Sequence, residues 1–148
     1  MGKRLAGIVA GYVTMMVMVF GLMTLGWVAV GADGAFEPGV FVTTPLWHAI
    51  SIGVAVVAAL AGGRVARRLG GDRETVVGLA ILVFVLGVVF AIPVLTADPT
   101  LAATPRPDGL AMMDAVNQAQ QPVWVALANP VIGAIGAMLG GRDRAASA

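Results

Sequence analysis

Few polar side chains interrupt the apolar stretches of this sequence, and three of them lie at a matching depth. Thr24, Ser51 and Asn129 each lie six or seven residues inside one end of an apolar stretch. At a rise of about 1.5 Å per helical residue, this places all three about 9–10 Å below one boundary. His48 precedes Ser51 by three residues, roughly one helical turn nearer that boundary. We therefore predict that Thr24, His48, Ser51 and Asn129 form a polar pocket that opens outward.

Two roles fit these four side chains. They could form hydrogen bonds between helices, worth about 0.6 kcal/mol each, or they could bind a small ligand. His48 by itself could be an axial ligand of haem or chlorophyll, a proton-sensitive switch or a residue of the membrane interface. Because the chain has one histidine, a bis-histidine haem within a single chain is excluded.

The residue types that are missing exclude most catalytic and metal chemistry. The chain has no cysteine, which excludes thiol redox chemistry, disulfides and cysteine-ligated zinc or iron–sulfur clusters. It has no GxSxG, HExxH or phosphate-loop motif. The interior of the apolar stretches carries no acidic or basic residue, whereas proton-coupled pumps and cation exporters keep one there. We therefore predict a protein that is not an enzyme and has no metal or cofactor.

The apolar stretches themselves are long enough to be membrane-spanning helices. Of the 148 residues, 59% are hydrophobic and 11% are charged, whereas a soluble domain usually has about 25% charged residues. We predict an all-α membrane protein, in which a four-transmembrane-helix bundle forms a single transmembrane domain over residues 1–148. The predicted helices cover about residues 5–30, 45–66, 75–96 and 122–141.

The longest connection, residues 97–121, lies between the last two helices. Its first half is rich in proline, which predicts an extended chain. Its second half predicts a short interfacial helix over about residues 108–120, capped by Asp108 and lying on the outer membrane surface.

The basic residues orient the predicted bundle. Eight of the nine Lys and Arg residues lie in three short clusters that alternate with the apolar stretches, and only Arg106 lies on the other side. Because basic residues in short loops stay in the cytoplasm, we predict a multi-pass protein of the bacterial cytoplasmic (inner) membrane with both termini cytoplasmic. Trp27, Trp47 and Trp124 all lie at the predicted outer boundary, where indole rings favour the headgroup level.

Small residues recur every four positions in several of the helices, which allows helices to approach closely in lipid. This pattern predicts one compact bundle, with dimerisation through one of the ridges as the alternative. The third helix has few small residues and is predicted to face lipid most. The predicted packing residues are Gly7, Gly11, Ser51, Ala55, Ala59, Gly63, Gly133, Gly136, Ala137 and Gly140.

Several segments of the chain resemble a known architecture. The segments GYVTMMVMVFGLMTLGW, DGAFEPG, PLWHAISIG and QPVWVALANPVIGAIGA are similar to those of small, uncharacterised bacterial four-helix inner-membrane proteins. The resemblance implies that architecture along most of the chain, and it carries no catalytic motif.

The predicted function is that of an accessory or structural subunit of a membrane complex. Its expected partners are membrane lipids and either further copies of the chain or a larger membrane complex, and not nucleic acid. Two alternatives stay open at this point. One is an oligomeric channel or carrier for small solutes, and the other is a pigment- or haem-binding subunit that uses His48.

Overall fold

In the computed structural model, which describes residues 1–107, 109 and 111–142, helix accounts for 81% of the structure. The described residues form no strand. A 3-10 helix at Pro99–Ala103 and the short helix α4 at Met112–Gln118 lie between the last two long helices. The predicted all-α architecture is confirmed, including four helices long and apolar enough to cross a membrane. These helices are α1 at Gly2–Ala35, α2 at Pro45–Gly70, α3 at Arg73–Leu95 and α5 at Val123–Gly140.

Local sequence signals determine where α2 and α3 begin and end. Thr44 caps α2, since its side chain accepts a hydrogen bond from the Trp47 N–H at 3.1 Å. Gly71 ends α2 in the left-handed conformation, with φ 83°. Asp72 then caps α3 by accepting from the Thr75 N–H and from the Thr75 hydroxyl, both at 2.8 Å. The connection between α2 and α3 is therefore a two-residue turn.

Helix α1 is longer than the sequence predicts. Its 34 residues would extend about 51 Å if straight, whereas the core of a bilayer is about 30 Å thick. The helical conformation is interrupted at Gly31, with φ 65° and ψ −174°, a backbone conformation that a side chain would strain. This break comes one residue after the predicted end at Val30. The extra length is Gly2–Arg4 at the start of the helix and a short helical turn, ending at Ala35, beyond the break.

Each long helix packs on particular neighbours. Helices α1 and α2 pack most extensively on each other, and α5 packs about equally on α2 and α3, whereas the backbones of α1 and α5 do not approach each other. The least buried helix is α1, with 17% of its most apolar segment buried, against 28% for α3 and 39% for α5. The prediction that α3 faces lipid most is therefore wrong. One reason is that Gly87 lets α3 approach Pro130 of α5 closely.

Most of the predicted small residues lie where helix backbones meet. A methyl group added at Gly63 would overlap the carbonyl of Ala137, and one added at Gly140 would overlap the carbonyl of Leu60. Such approaches are possible only without a side chain. Further close contacts join Gly7 with Gly70, Gly11 with Gly62, Gly136 with Ala59 and Gly133 with Val83. Ser51 and Ala55 belong to a different part of α2, which lines a cavity.

The two ends of the bundle differ in charge. We call one end the basic end, because it combines the start of α1, the turn between α2 and α3, and the end of α5. The opposite end, which we call the loop end, carries residues 36–44 and 96–122. The described basic residues at the basic end are Lys3, Arg4, Arg64, Arg67, Arg68, Arg73 and Arg142. Arg144 lies outside the described residues.

The two loop-end segments fold together into a cap, which we call the loop cap. The Thr43 N–H donates to the Gln120 carbonyl at 3.0 Å, so the first segment is bound to the second. The Arg106 side chain is only 6% exposed and pairs with Asp33 at 2.7 Å. Its guanidinium carbon lies 6.0 Å from the centre of the Phe36 ring. The loop cap therefore connects the end of α1 with the chain between α3 and α5.

That chain between α3 and α5 differs from the prediction in two places. The beginning of its first half is not extended, because Asp98 accepts a hydrogen bond from the Thr100 N–H at 2.9 Å and starts the 3-10 helix. After that helix, Thr104 is extended and Pro105 pairs with Val40. Helix α4 begins at Met112 and not near residue 108, because Gly109 has a left-handed φ of 71° that interrupts a helix. The predicted cap, Asp108, lies outside the described residues.

Candidate functional site

A cavity lies between the helices at the loop end, because the bundle has two separate cores. Towards the basic end, all four long helices share one core, which includes Met15, Leu79 and Ala137. At the loop end, a second core with Phe41 and Trp47 contains residues of α1, α2 and the loop cap. Since α3 and α5 contribute nothing to this second core, a cavity of about 500 Å³ remains. We call it the loop-end cavity.

The loop-end cavity has mostly apolar walls with a few polar groups. All four long helices and the loop cap contribute to it. Its volume is within the range of roughly 300–1,000 Å³ that is usual for ligand pockets. The polar lining residues are Thr43, His48, Ser51, Gln121 and Asn129, and the apolar ones include Met23, Trp27, Val54 and Val94.

Three of the four residues predicted for the pocket line this cavity. His48 and Ser51, three positions apart, lie on one face of α2, and Asn129 lies on α5. Ala55, predicted as a packing residue, continues the face of Ser51 and also lines the cavity. Part of the small-residue ridge of α2 thus borders a space for an occupant, and the rest packs against α5.

Thr24, the fourth residue predicted for the pocket, does not line the loop-end cavity. Its side chain is exposed, and its hydroxyl donates to the Phe20 carbonyl of its own helix at 2.8 Å. Helix α1 instead contributes Met23 and Trp27. The depth of Thr24 follows from the helical rise, but successive residues are rotated by about 100° around a helix. Depth alone could not determine which side of α1 would face the cavity.

Two contacts hold the His48 ring. Its Nε2 lies 2.7 Å from the Thr43 hydroxyl, and the ring packs edge to face on Trp124 with centroids 6.0 Å apart. The Thr43 hydroxyl also donates to the Gln120 carbonyl at 3.2 Å. The hydroxyl has one proton, and while it donates this proton to Gln120 it can only accept a hydrogen bond from His48. The Nε2 atom of His48 then carries the ring proton, and Nδ1 is the acceptor of the ring.

The carboxamides of Asn129 and Gln121 have unused hydrogen-bonding capacity. Both residues are half-buried, and neither carboxamide makes a hydrogen bond with any residue that the structure describes. By contrast, the Ser51 hydroxyl donates to the Trp47 carbonyl at 2.8 Å. The α5 wall therefore offers an occupant two N–H donors and one acceptor oxygen.

Two polar residues that line the loop-end cavity, Thr43 and Gln121, were not predicted as site residues from the sequence. A signal for both was present, because each closely precedes a proline that begins a predicted helix, Pro45 in one case and Pro122 in the other. Residues before such prolines are extended and lie at a helix end. Polar residues there could have been predicted to border a site at the same end of the bundle.

The lining of the loop-end cavity carries little charge. Among the described residues, it contains one titratable side chain, His48, and no carboxylate, lysine or arginine. Across the described residues, no group of three or more His, Asp and Glu could hold a metal ion. A neutral molecule with an apolar body and a hydrogen-bonding group matches these walls.

Comparisons with protein-family models, curated proteins and solved structures gave no match. The resemblance to bacterial four-helix inner-membrane proteins therefore rests on the quoted segments.

Proposed function

We propose that this protein is a non-enzymatic, multi-pass protein of the bacterial cytoplasmic membrane that binds a neutral amphipathic molecule in the loop-end cavity. The observation that carries the proposal is that the Asn129 carboxamide makes no hydrogen bond with any described residue, although mostly apolar walls surround it. Its nitrogen and oxygen are not fully enclosed by the described residues, so an occupant of the cavity can reach them. A carbonyl or hydroxyl group of a ligand would supply the missing hydrogen bond.

The walls of the cavity define the class of ligand. Among the described residues, no acidic side chain, lysine or arginine lines the cavity, so a charged ligand group would lack a counter-charge there. Trp27 and Trp47 pack edge to face, with centroids 6.1 Å apart, and supply apolar ring surfaces. The expected ligand is a neutral, lipid-like molecule that has a hydrophobic ring or chain and a carbonyl or hydroxyl head.

We further propose that the basic end faces the cytoplasm, with both termini on that side. The distribution of charge supports this orientation, because the loop end has a single basic residue, Arg106, and this residue is paired with Asp33. Basic residues in short loops are retained on the cytoplasmic side during insertion. The loop-end cavity then lies in the outer leaflet and takes its ligand from the membrane.

The proposed role is that of an accessory subunit, which holds this molecule within a larger membrane complex. The alternatives are an oligomeric channel or carrier for small solutes and a pigment- or haem-binding subunit. Axial ligation through Nε2 of His48 would first require the 2.7 Å contact with Thr43 to break.

The test is to identify small molecules that co-purify with the full chain from its membrane. Mass spectrometry would compare wild-type protein, Asn129→Leu and a matched control, Val131→Leu, whose side chain is 46% exposed. We expect one neutral amphipathic compound to be enriched over bulk lipid in wild type and control. We expect it to be depleted at least about tenfold in Asn129→Leu, the loss that one or two hydrogen bonds imply.

Identical profiles for the three proteins would contradict the proposal. A visible absorption band of the purified protein that is lost in His48→Gln would instead favour the pigment-binding alternative. Uptake of a small solute by vesicles that contain the protein would favour the channel or carrier.

A further inference from the structure

A second cavity, of about 260 Å³, lies at the basic end of the bundle. It forms where the end of α2, the start of α3 and the end of α5 meet, and each contributes an arginine. These are Arg67, Arg73 and Arg142. The remaining lining is apolar, with Val76, Val77 and Met138 among its residues. We call it the arginine cavity.

Three arginines line this cavity, and among the described residues no carboxylate does. Asp72 and Glu74, the acidic residues of the adjoining turn, both form ion pairs with Arg4, and Asp72 also caps α3. Asp143 lies outside the described residues. The Arg67 guanidinium donates to the Gly71 carbonyl at 3.0 Å, which fixes its position beside the cavity.

We propose that the arginine cavity binds the phosphate of an anionic phospholipid headgroup. Guanidinium groups present paired N–H donors that match two oxygens of a phosphate. The cavity lies at the ends of three helices that are long enough to cross a membrane. In a bilayer that these helices span, their ends lie at the level of the lipid headgroups. The apolar wall of Val76, Val77 and Met138 would contact the start of the acyl chains. This second site is independent of the loop-end cavity.

The experiment measures lipid binding to the full chain by native mass spectrometry, after transfer from detergent micelles that contain phosphatidylglycerol or phosphatidylcholine. The test variant is the double substitution Arg73→Gln with Arg142→Gln. The matched control is Arg68→Gln with Arg64→Gln, which removes the same charge from exposed positions at the same end that do not line the cavity. Circular dichroism and gel filtration verify that both variants fold.

We expect wild type and the control to retain phosphatidylglycerol in preference to phosphatidylcholine. The test variant should lose at least about tenfold in affinity for phosphatidylglycerol, since it removes two charged donors from the cavity. Equal losses in the test variant and the control would overturn the proposal, because they would indicate a diffuse surface charge effect. An unchanged affinity of the test variant would overturn it as well.

A separate arm distinguishes a lipid from a free phosphate compound. Inorganic phosphate and glycerol phosphate are added as competitors at the concentration of the lipid. The bound phosphatidylglycerol is isotope-labelled in this arm, and the unlabelled lipid is the reference competitor. If the apolar wall contributes, neither phosphate compound should displace the labelled lipid by more than about a tenth of the effect of the unlabelled lipid. Competition as strong as that of the lipid would overturn the lipid assignment. If the test variant does not fold, Arg142→Gln alone is compared with Arg68→Gln, under the same criteria.

Discussion

At the scale of the residue, the depth of polar side chains was predictable but their direction was not. Ser51 and Asn129 could be placed at one depth because prolines mark the helix starts and the helical rise is fixed. Thr24 has the same depth, yet it lies outside the cavity. Its direction depends on how α1 is rotated against α2, and contacts such as that of Gly11 with Gly62 determine this rotation. Such a contact between helices is not a property of either sequence segment alone.

Asp72 gives a prediction on pH at this scale. Hydrogen bonds from the N–H and hydroxyl of Thr75, together with the ion pair with Arg4, lower its pKa from 3.8 to about 2. A lowered pKa in the folded state means that the ionised group stabilises the fold above pH 3.8. This contribution is lost as the pH falls towards 2. We therefore expect the thermal unfolding midpoint of the detergent-solubilised protein to decrease more steeply in wild type than in Asp72→Asn as the pH is lowered from 6 to 2.

Asparagine is the appropriate replacement for Asp72, since it can still cap α3 but does not titrate. Parallel pH profiles for wild type and Asp72→Asn would show that the carboxylate does not contribute in this range. A steeper profile for the variant would contradict the sign of the pKa shift.

At the scale of the element, the four-residue spacing of small side chains indicated a packing face on α1, α2 and α5 but not where two helices separate. Along α2, Ala59 and Gly63 contact α5, whereas Ser51 and Ala55 border the loop-end cavity. The same spacing runs through both parts. The separation follows from the loop-end core, in which the aromatic side chains of α1, α2 and the loop cap pack together without α3 and α5. Those contacts join distant parts of the chain.

Two glycines of α2 provide a matched pair of substitutions at this scale. A methyl group at Gly63 would overlap the Ala137 carbonyl, whereas one at Gly53 would meet open space. Gly63→Ala should therefore destabilise the bundle by about 1–3 kcal/mol. Gly53→Ala should be neutral or should stabilise the helix by up to about 1 kcal/mol. The measurement is the free energy of unfolding in mixed micelles, and equal effects at both sites would mean that α2 and α5 are not in contact at Gly63.

At the scale of the whole molecule, composition predicted the number of long helices, and charge predicted which of their ends belong together. The order in which they pack, α1 next to α2, α2 next to α5 and α5 next to α3, was not predictable from apolar runs. Nor was the loop cap, since its pairing of Thr43 with Gln120 joins residues 77 positions apart. Such pairings depend on the helices already being assembled.

The proposed orientation gives a prediction for the whole molecule. The chain has no native cysteine, so single cysteines can be introduced against a clean background. Glu37→Cys and Ala103→Cys, both exposed at the loop end, should react with a membrane-impermeant thiol reagent added to intact cells. Arg68→Cys, exposed at the basic end, should react only after the cells are opened. The opposite pattern of labelling would reverse the orientation.

The central claim is that Asn129 binds a ligand in the loop-end cavity, and the chain offers a direct way to observe it. The chain has two asparagines, Asn117 and Asn129, so selective ¹⁵N labelling of asparagine yields two pairs of side-chain amide signals, one pair for each residue. Asn117 does not line the loop-end cavity and serves as an internal reference.

The measurement is the nuclear magnetic resonance spectrum of delipidated protein before and after addition of a total membrane-lipid extract from the expression host, with Asn129→Leu used to assign the signals. We predict that the Asn129 amide signals move when the extract is added, because a ligand group accepts their hydrogen bond, while the Asn117 signals stay in place. An Asn129 signal that does not move, or that moves together with that of Asn117, would contradict it.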